Sequence, residues 1–202
     1  RLVGSEMCIR DSRRAANQSV RNMERKFHYT APAKPMPVVF EQVFAEKPAG
    51  GVIPNPAHDI MPGTALDASG KPIKAYRLTK AVGSSDTTIQ IEKGSGIASG
   101  DIIGHGKKAV ASTKVDTSNP NYDIVTVTMG VEIAIGTVLY QAKAASADSA
   151  EPIYQPAYIL GSPAYAGEGD QEVRLINGAN LRKETAPISE EVVAMMKNIS
   201  LV

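Results

Sequence analysis

An internal repeat punctuated by glycines constrains the fold of this chain more than any other feature of its sequence. Thr88–Ile103, TIQIEKGSGIASGDII, aligns without gaps on Ile124–Leu139, IVTVTMGVEIAIGTVL, at an offset of 36 residues. Each copy has an alternating strand, a glycine turn, an apolar residue and a second glycine turn into a new strand. The matched positions are Gly94 with Gly130, Ile97 with Ile133, Ala98 with Ala134, and Gly100 with Gly136.

Neither copy of this repeat can bury an apolar face by itself. We therefore expect the two copies to pair about a pseudo-two-fold axis and to close a small barrel or clip. Chance similarity between two stretches rich in β-branched and turn residues is the alternative. The repeat predicts that the glycines at 94, 100, 130 and 136 are structural turns.

The stretch from Lys71 to Ala142 consists of short β-branched runs separated by Gly, Asn and Asp, which is typical of a compact antiparallel β domain. The expected fold class is mainly β: a small antiparallel β-barrel or β-clip-like domain with an extended N-terminal arm and a short C-terminal helix. Strands are predicted near Ile73–Leu78, Thr87–Glu92, Asp101–Ile103, Ala109–Val115, Ile124–Met129 and Thr137–Gln141.

The segments on either side of this β domain differ from it in composition and in predicted secondary structure. Prolines at 32, 35, 37 and 48 exclude a helix and bracket one extended segment, Val38–Phe44, after which the chain continues as a proline-rich connector. Near the other end, strands are predicted at Tyr158–Leu160 and Glu172–Ile176, with NGAN as a tight turn. A helix is predicted from about Ser189, its N-cap, with apolar positions at Val192, Val193, Met195, Met196 and Ile199. The predicted division is 1–12, 13–70 as the arm, 71–145 as the β domain, and 146–202 as C-terminal strands and helix.

The first twelve residues, RLVGSEMCIRDS, are interpreted as a translated sequencing adapter rather than as native protein. Codons for Leu2–Asp11 can be written as CTC GTG GGC TCG GAG ATG TGT ATA AGA GAC, a run similar to a transposase-based library adapter. A natural N-terminus that matches by chance is the alternative. The only cysteine, Cys8, lies within this stretch, so the remaining chain offers no disulfide, thiolate ligand or cysteine nucleophile.

The net charge of +1 hides an asymmetry along the chain. The range from Arg13 to Lys34 contains six basic residues and one acidic residue, a net charge of +5. The range from Pro35 onward contains 14 basic and 18 acidic residues, a net charge of −4. Such a basic arm can dock on nucleic acid or on an acidic partner surface, and a solvated tail without a partner is the alternative. The basic residues of the arm are Arg13, Arg14, Arg21, Arg25, Lys26 and Lys34.

No fragment of the sequence carries a catalytic or ligand-binding motif in the right context. GSGIASG lacks dinucleotide-binding spacing and precedes no helix, and His28, His58 and His105 form no metal-ligand spacing. Glu190 and Glu191 are adjacent on a predicted helix, so they diverge by about 100° and cannot act together on one substrate. Their predicted role is electrostatic, as acidic residues in the first turn that complement the helix dipole. We therefore predict no catalytic residue, no metal and no cofactor. No apolar run reaches the roughly 18 residues of a membrane span.

Tyrosines cluster with prolines and glycines in the stretch YQPAYILGSPAYAGEGD. Tyr154, Tyr158 and Tyr165 could form an interface or a surface on which sugars stack. Packing within the β fold is the alternative for all three.

Taken together, these segments resemble the head fiber proteins encoded beside capsid genes in tailed bacteriophages and prophages of gut bacteria. The resemblance rests on RKFHYTAPAKPMPVVFEQVFAEKPAGGVIPNPAHDI and GDQEVRLINGANLRKETAPIS, with the repeat between them, and covers most of Met23–Val202. The repeat is also similar in pattern to the β-clip of lambda-type head decoration proteins, which are trimers on the capsid surface; this likeness concerns the fold alone.

The resemblance implies a non-enzymatic virion structural protein, a head fiber or capsid decoration protein made in the bacterial cytoplasm. Its expected partner is the major capsid protein, bound through the basic arm, and a homotrimer is expected rather than a complex with nucleic acid or membrane. A carbohydrate- or host-surface-binding adhesion module that uses the tyrosine-rich region is the alternative, and a hydrolase built from scattered Ser, His and Asp residues is a third hypothesis.

Overall fold

A computed structural model describes residues 37–202, in which Val38–Val202 form one compact unit. This part of the chain is mainly β, with one short helix, as the sequence predicts. Its strands are β1 Phe40–Glu46, β2 Gly51–Ile53, β3 Ala65–Leu66, β4 Ala75–Arg77, β5 Thr88–Glu92, β6 Ile102–His105, β7 Lys108–Ala111, β8 Lys114–Asp116, β9 Tyr122–Thr126, β10 Val138–Gln141, β11 Tyr158–Leu160, β12 Gln171–Val173, β13 Leu175–Leu181 and β14 Ile199–Leu201, and its helix is α1, Glu190–Ala194.

These strands form four sheets, and the chain segments that build them come from different parts of the sequence. The first sheet has the order β1-β13-β11-β3, with β14 parallel to β13, and so joins the two ends of the described chain. The central segment supplies a four-stranded sheet, β4-β10-β6-β7, and a three-stranded sheet, β5-β9-β8. A ribbon of β2 and β12 completes the set.

The central segment has the two-fold pairing that its repeat predicts. In the antiparallel pair of β5 and β9, Ile89 faces Val125, and in the pair of β6 and β10, Gly104 faces Tyr140. Both pairs join residues that are 36 positions apart. A strand pair whose residues face their own repeat equivalents is what a two-fold axis through the pair requires. The flanking strands β4 and β7 preserve this symmetry in the sheet order.

Equivalent turns connect the strands within each copy of the repeat. Asp101 donates its backbone N–H to the carbonyl of Ala98 at 3.1 Å, and Thr137 donates to Ala134 at 3.3 Å. The glycine in each turn, Gly100 or Gly136, has a φ of 91° or 81°, which a side chain would strain. The first glycines of the two copies, Gly94 and Gly130, also have positive φ.

No sheet closes into a barrel within residues 37–202, so of the two closures expected, a barrel or a clip, the barrel is not formed. Most strands of the central segment span only three to five residues, because glycine and polar turns redirect the chain after each. The four-stranded sheet therefore stays open, with β4 and β7 as its outer strands, and only a single bridge between Ala109 and Ser146 extends it beyond β7. The apolar side chains instead fill a core between the two central sheets that includes Tyr76, Ile89, Ile91, Ile103, Val125 and Leu139.

The boundary of the predicted arm changes once the described residues are considered. Strands β1, β2 and β3, all within the range 13–70, pair with β13, β12 and β11 respectively. The chain from Val38 is therefore part of the β body rather than of an extended arm. Prolines did not prevent this because they lie outside the strands, whose donors stay available.

Several local predictions are corrected by the register of the sheets. NGAN, predicted as a turn, lies within β13, because both edges of β13 find partner strands and the glycine makes room for a neighbouring side chain. The predicted strand Ala109–Val115 divides between β7 and β8, which belong to different sheets. The C-terminal helix starts after the predicted cap Ser189, whose Oγ accepts the N–H of Val192 at 3.3 Å. It ends at Ala194, and Ile199 enters β14 instead.

Helix α1 packs in a second core, between the five-stranded sheet and the four-stranded sheet. Val192 and Val193 of the helix join Ile159, Ile176 and Leu181 of the first sheet and Ala109 and Tyr140 of the second. A third cluster lies beneath the ribbon of β2 and β12 and includes Ile53, Leu66, Leu160 and Leu175. The N- and C-terminal segments are thus tied to the central repeat through shared apolar packing.

Candidate functional site

The residues that the sequence assigned to capsid binding lie outside the described part of the chain. Arg13, Arg14, Arg21, Arg25, Lys26 and Lys34 all precede Pro37, where the described residues begin. The interpretation of Arg1–Ser12 as an adapter concerns the same range. Both remain predictions from sequence.

The three tyrosines occupy different environments. Tyr158 lies on β11, half-buried against the third core cluster, and the Lys47 Nζ is 5.1 Å from its ring centroid. Tyr154 is half-buried against the core that contains α1, with the Lys71 Nζ at 5.5 Å. Only Tyr165 is classed as exposed, at 38%. Packing and cation–π contacts therefore explain two of these side chains.

Asp101, in the turn between the repeat's two strands, is the centre of a polar network. Its Oδ2 accepts from the Lys74 Nζ at 2.9 Å, the Tyr76 hydroxyl at 3.2 Å and the backbone N–H of Ala98 at 3.0 Å. Its Oδ1 accepts from the Gln141 Nε2 at 3.3 Å. Burial alone would raise the pKa of Asp101, but the hydrogen bonds from Lys74 and Ala98 lower it. A carboxylate saturated in this way joins β4, β10 and the turn, which is a structural role.

Glu191 of helix α1 makes a second polar link, to the hairpin of β6 and β7. Its Oε1 accepts the backbone N–H of Gly106 at 2.7 Å and lies 3.3 Å from the Nδ1 of His105. Burial would raise the pKa of Glu191, but the neighbouring His105 and the hydrogen bond from Gly106 lower it to about 2, although the His105 Nδ1 lies too poorly aligned to complete a hydrogen bond itself. In the same hairpin turn, the carbonyl oxygen of Gly106 accepts a hydrogen bond from the Tyr140 hydroxyl at 3.2 Å. The predicted role of Glu191, helix-end electrostatics, is thus accompanied by a specific contact with another element.

The three histidines of the sequence do not come together. His28 lies outside the described residues, His105 is at the hairpin of β6 and β7, and His58 packs against Gly96 in the first repeat turn. Burial lowers the pKa of His58, and the charge of Lys74 lowers it further. Among residues 37–202 there is no group of three or more His, Cys, Asp or Glu side chains placed to hold a metal ion.

The outward face of the five-stranded sheet carries an uncharged row that the sequence analysis did not identify. Gln42 of β1 faces Asn180 of β13, which in turn faces Ser200 of β14. Beside this row, Phe44 is 57% exposed and its ring covers Gly178. The sequence did not indicate this surface because Gly178 and Asn180 belong to NGAN, which has the composition of a turn rather than of a strand.

We call Gln42, Phe44, Gly178, Asn180 and Ser200 the outer-face row.

In the part of the chain that the structure describes, no helix has the length and apolar character of a membrane span. Comparison with known proteins found no matching family model, no matching curated protein and no matching solved structure.

Proposed function

We propose that this chain is a non-enzymatic virion structural protein that attaches to the outside of a phage capsid through the basic segment 13–34. The observation that carries the proposal is the division of charge between that segment and the folded body. The segment has a net charge of +5 and directly precedes the compact unit from Val38, which contains all the residues that give the net charge of −4. The resemblance to head fiber proteins supports the same assignment.

The polar contacts of the body are consistent with a structural role. Asp101 joins the first repeat turn to β4 and β10, and Glu191 joins α1 to the hairpin of β6 and β7. Arg77 donates to the carbonyl of Gly136 at 2.9 Å and of Ala186 at 2.6 Å, which ties the second repeat turn to the C-terminal segment. Each of these charged groups holds together segments that are distant in sequence.

Attachment through many copies suits a short charged segment. A capsid presents the same site repeatedly, so weak contacts of linked copies add to a strong overall attachment. A homotrimer, favoured by the resemblance, would bring three such segments to one symmetric position. The acidic body would be repelled from a negatively charged shell and would remain outward.

Co-sedimentation with empty shells tests the role of the basic segment. The shells are purified from a tailed phage whose capsid genes lie beside this gene. One full-length variant replaces the six basic residues of 13–34 by glutamine, and a matched control replaces six exposed lysines of the body. The control positions are Lys71, Lys80, Lys107, Lys114, Lys143 and Lys197. We expect the first variant to lose attachment and the control, which has the same net charge, to retain it.

Salt and DNA distinguish the capsid from nucleic acid as the partner. Attachment to shells should weaken with salt, since exposed charges more than about 10 Å apart are largely screened at 0.1 M. If the segment binds DNA instead, added duplex DNA should displace the protein from the shells, and the logarithm of the binding constant should fall steeply with the logarithm of the salt concentration. Equal attachment of both glutamine variants would refute the proposal that the basic segment binds the capsid.

The alternative function, a carbohydrate- or host-surface-binding module centred on the tyrosines, has less support at those residues. Tyr154 and Tyr158 are half-buried and contact lysines, which leaves Tyr165 as the one exposed ring of the three. An isolated exposed aromatic residue is ordinary on a protein surface.

A further inference from the structure

The outer-face row combines an aromatic ring with hydrogen-bonding side chains on three adjacent strands. Gln42, Asn180 and Ser200 stand directly opposite one another in register, so their side chains lie on the same face of the sheet. The neighbours of Asn180 along β13, Ala179 and Leu181, are fully buried, which places Asn180 on the side away from the core.

The row offers its polar groups in a defined orientation. Ser200 donates its hydroxyl to the Asn180 Oδ1 at 2.7 Å, which fixes the side-chain amide and directs its Nδ2 away from Ser200. Within residues 37–202 no group accepts a hydrogen bond from that Nδ2 or from the exposed Gln42 amide. Neighbouring strands are about 4.8 Å apart, so the three side chains span about 10 Å across the sheet.

Phe44 is held in place beside the polar row by Gly178. A Cβ built on Gly178 would lie 2.7 Å from the Phe44 Cε2 and 2.9 Å from its Cδ2, so the ring occupies the space of the missing side chain. A register shift between Val43 and Ala45 turns Phe44 outward, where it remains 57% exposed. Gly178 and Asn180 are two residues apart on one strand, so the ring lies about 7 Å from the row.

The charges around this surface cancel. Glu41 forms an ion pair with Arg182 on one side, and Glu46 forms an ion pair with Arg174 on the other. None of the five residues of the outer-face row is charged. A strongly charged ligand, such as nucleic acid, would find no complementary potential here.

We propose that the outer-face row binds a neutral carbohydrate, with Phe44 stacked on the apolar face of one pyranose ring. Gln42, Asn180 and Ser200 then exchange hydrogen bonds with the sugar hydroxyls, since amides and hydroxyls can both donate and accept. A pyranose has an apolar face of C–H groups and a rim of hydroxyls, which matches an aromatic plate beside a row of amides. Gly178 acts as a positioning residue, because its missing side chain leaves room for the ring edge formed by the Phe44 Cδ2 and Cε2.

Titration with neutral oligosaccharides tests this proposal on the full-length protein. Cellohexaose, chitohexaose and maltohexaose are the probes, with heat of binding and backbone amide shifts as readouts. We expect at least one probe to bind and to shift amides of β1, β13 and β14. Phe44→Ala should weaken that binding by about tenfold or more, the loss expected when an aromatic contact is removed. Val52→Ala, at another exposed apolar side chain, is the control and should bind as the parent protein does.

A second variant tests whether sugar binding depends on the position of the Phe44 ring as well as on its presence. Gly178→Ala keeps Phe44 but displaces its ring, and the new Cβ would also lie 2.9 Å from the Cβ of Ala45. Gly178 has an ordinary φ, so the substitution introduces no left-handed backbone strain. It should weaken sugar binding while Phe44→Tyr preserves it. Both variants are first compared with the parent by circular dichroism, and Phe44→Ala decides the matter if Gly178→Ala does not fold.

Failure of this proposal is distinguishable from failure of the capsid proposal. Phe44→Ala should co-sediment with shells as the parent protein does, because the outer-face row is separate in sequence from residues 13–34. Absence of binding to all three probes, or binding unchanged in Phe44→Ala, overturns the carbohydrate site. Conversion of an oligomer to a monomer by Phe44→Ala, measured by light scattering, would instead identify the face as a subunit interface and would equally overturn it.

Discussion

Replacing Glu191 by glutamine removes the charge with which helix α1 holds the hairpin of β6 and β7. Glutamine keeps nearly the same shape, and its Oε1 can still accept the N–H of Gly106, which is 2.7 Å from the Glu191 Oε1. The substitution therefore tests the charge-dependent part of the contact. The apolar packing of Val192 and Val193 should stay intact.

The magnitude follows from the lowered pKa of Glu191. A fall from 4.5 to about 2 corresponds to about 3 kcal/mol in favour of the folded state at neutral pH. Three factors reduce this figure at pH 7: the retained neutral hydrogen bond, the partly exposed position of the side chain, and His105, which adds its charge to the shift only when its imidazole is protonated. We expect Glu191→Gln to lower the free energy of unfolding by about 1–2 kcal/mol at pH 7.

The pH dependence has a definite sign. Because the pKa of Glu191 is lower in the folded than in the unfolded state, its contribution is complete above about pH 4.5 and disappears as the pH falls toward about 2. The difference in unfolding free energy between Glu191→Gln and the parent should therefore shrink over this range. Urea unfolding followed by circular dichroism at a series of pH values measures this difference directly.

Glu190→Gln is the matched control for this experiment. Glu190 is the preceding residue of the same helix, and its ion pair with Lys183 is largely exposed on both sides. Exposed pairs contribute about 0–1 kcal/mol, so the control should lose less stability than Glu191→Gln. Equal losses for the two variants at pH 7, or a loss for Glu191→Gln that stays constant down to pH 2.5, would refute the reasoning.

Three further predictions concern the repeat and the first residues of the chain. Gly136→Ala and Gly100→Ala should each lower the unfolding free energy by about 1–2 kcal/mol, because the new Cβ meets no atom within 4 Å and only the positive φ is strained. Gly83→Ala, at an ordinary φ, is the control and should leave the unfolding free energy nearly unchanged. An unchanged unfolding free energy in both Gly100→Ala and Gly136→Ala would contradict this account. Ile91→Ala removes a fully buried side chain from the central core and should cost about 2–5 kcal/mol in denaturant unfolding. Deletion of residues 1–12 should leave the melting temperature unchanged, and a drop of more than a few degrees would show that these residues are native structure.

The central β domain could be predicted from sequence because its signals are local. Alternating β-branched residues specify strands, and glycines specify turns, so β5, β6, β9 and β10 were expected close to where they lie. The repeat added a non-local prediction, since two similar units with half-buried faces pair most simply about a two-fold axis. The register of Ile89 with Val125 shows this pairing.

The strands at the two ends of the described chain depend on partners that no local pattern reveals. Strands β2 and β3 are short and lie among prolines, and they are strands only because β12 and β11 complete their hydrogen bonds. NGAN has the composition of a turn, but in β13 it lies between β1 and β14. Ile199 fits the apolar face of a helix, yet it pairs with Ala179 as part of β14.

The sequence by itself determined the mainly β class, the turns of the repeat, the cap of helix α1 and the separation of basic from acidic residues. These features depend on backbone preferences and charges that each residue carries wherever it lies. Tertiary structure alone decided that the first and last strands share one sheet, that Glu191 reaches the hairpin at Gly106, and that Phe44 lies on Gly178 beside Asn180. These contacts join residues far apart in the chain, and they form because buried hydrogen-bonding groups and apolar surface must find partners once the chain is compact.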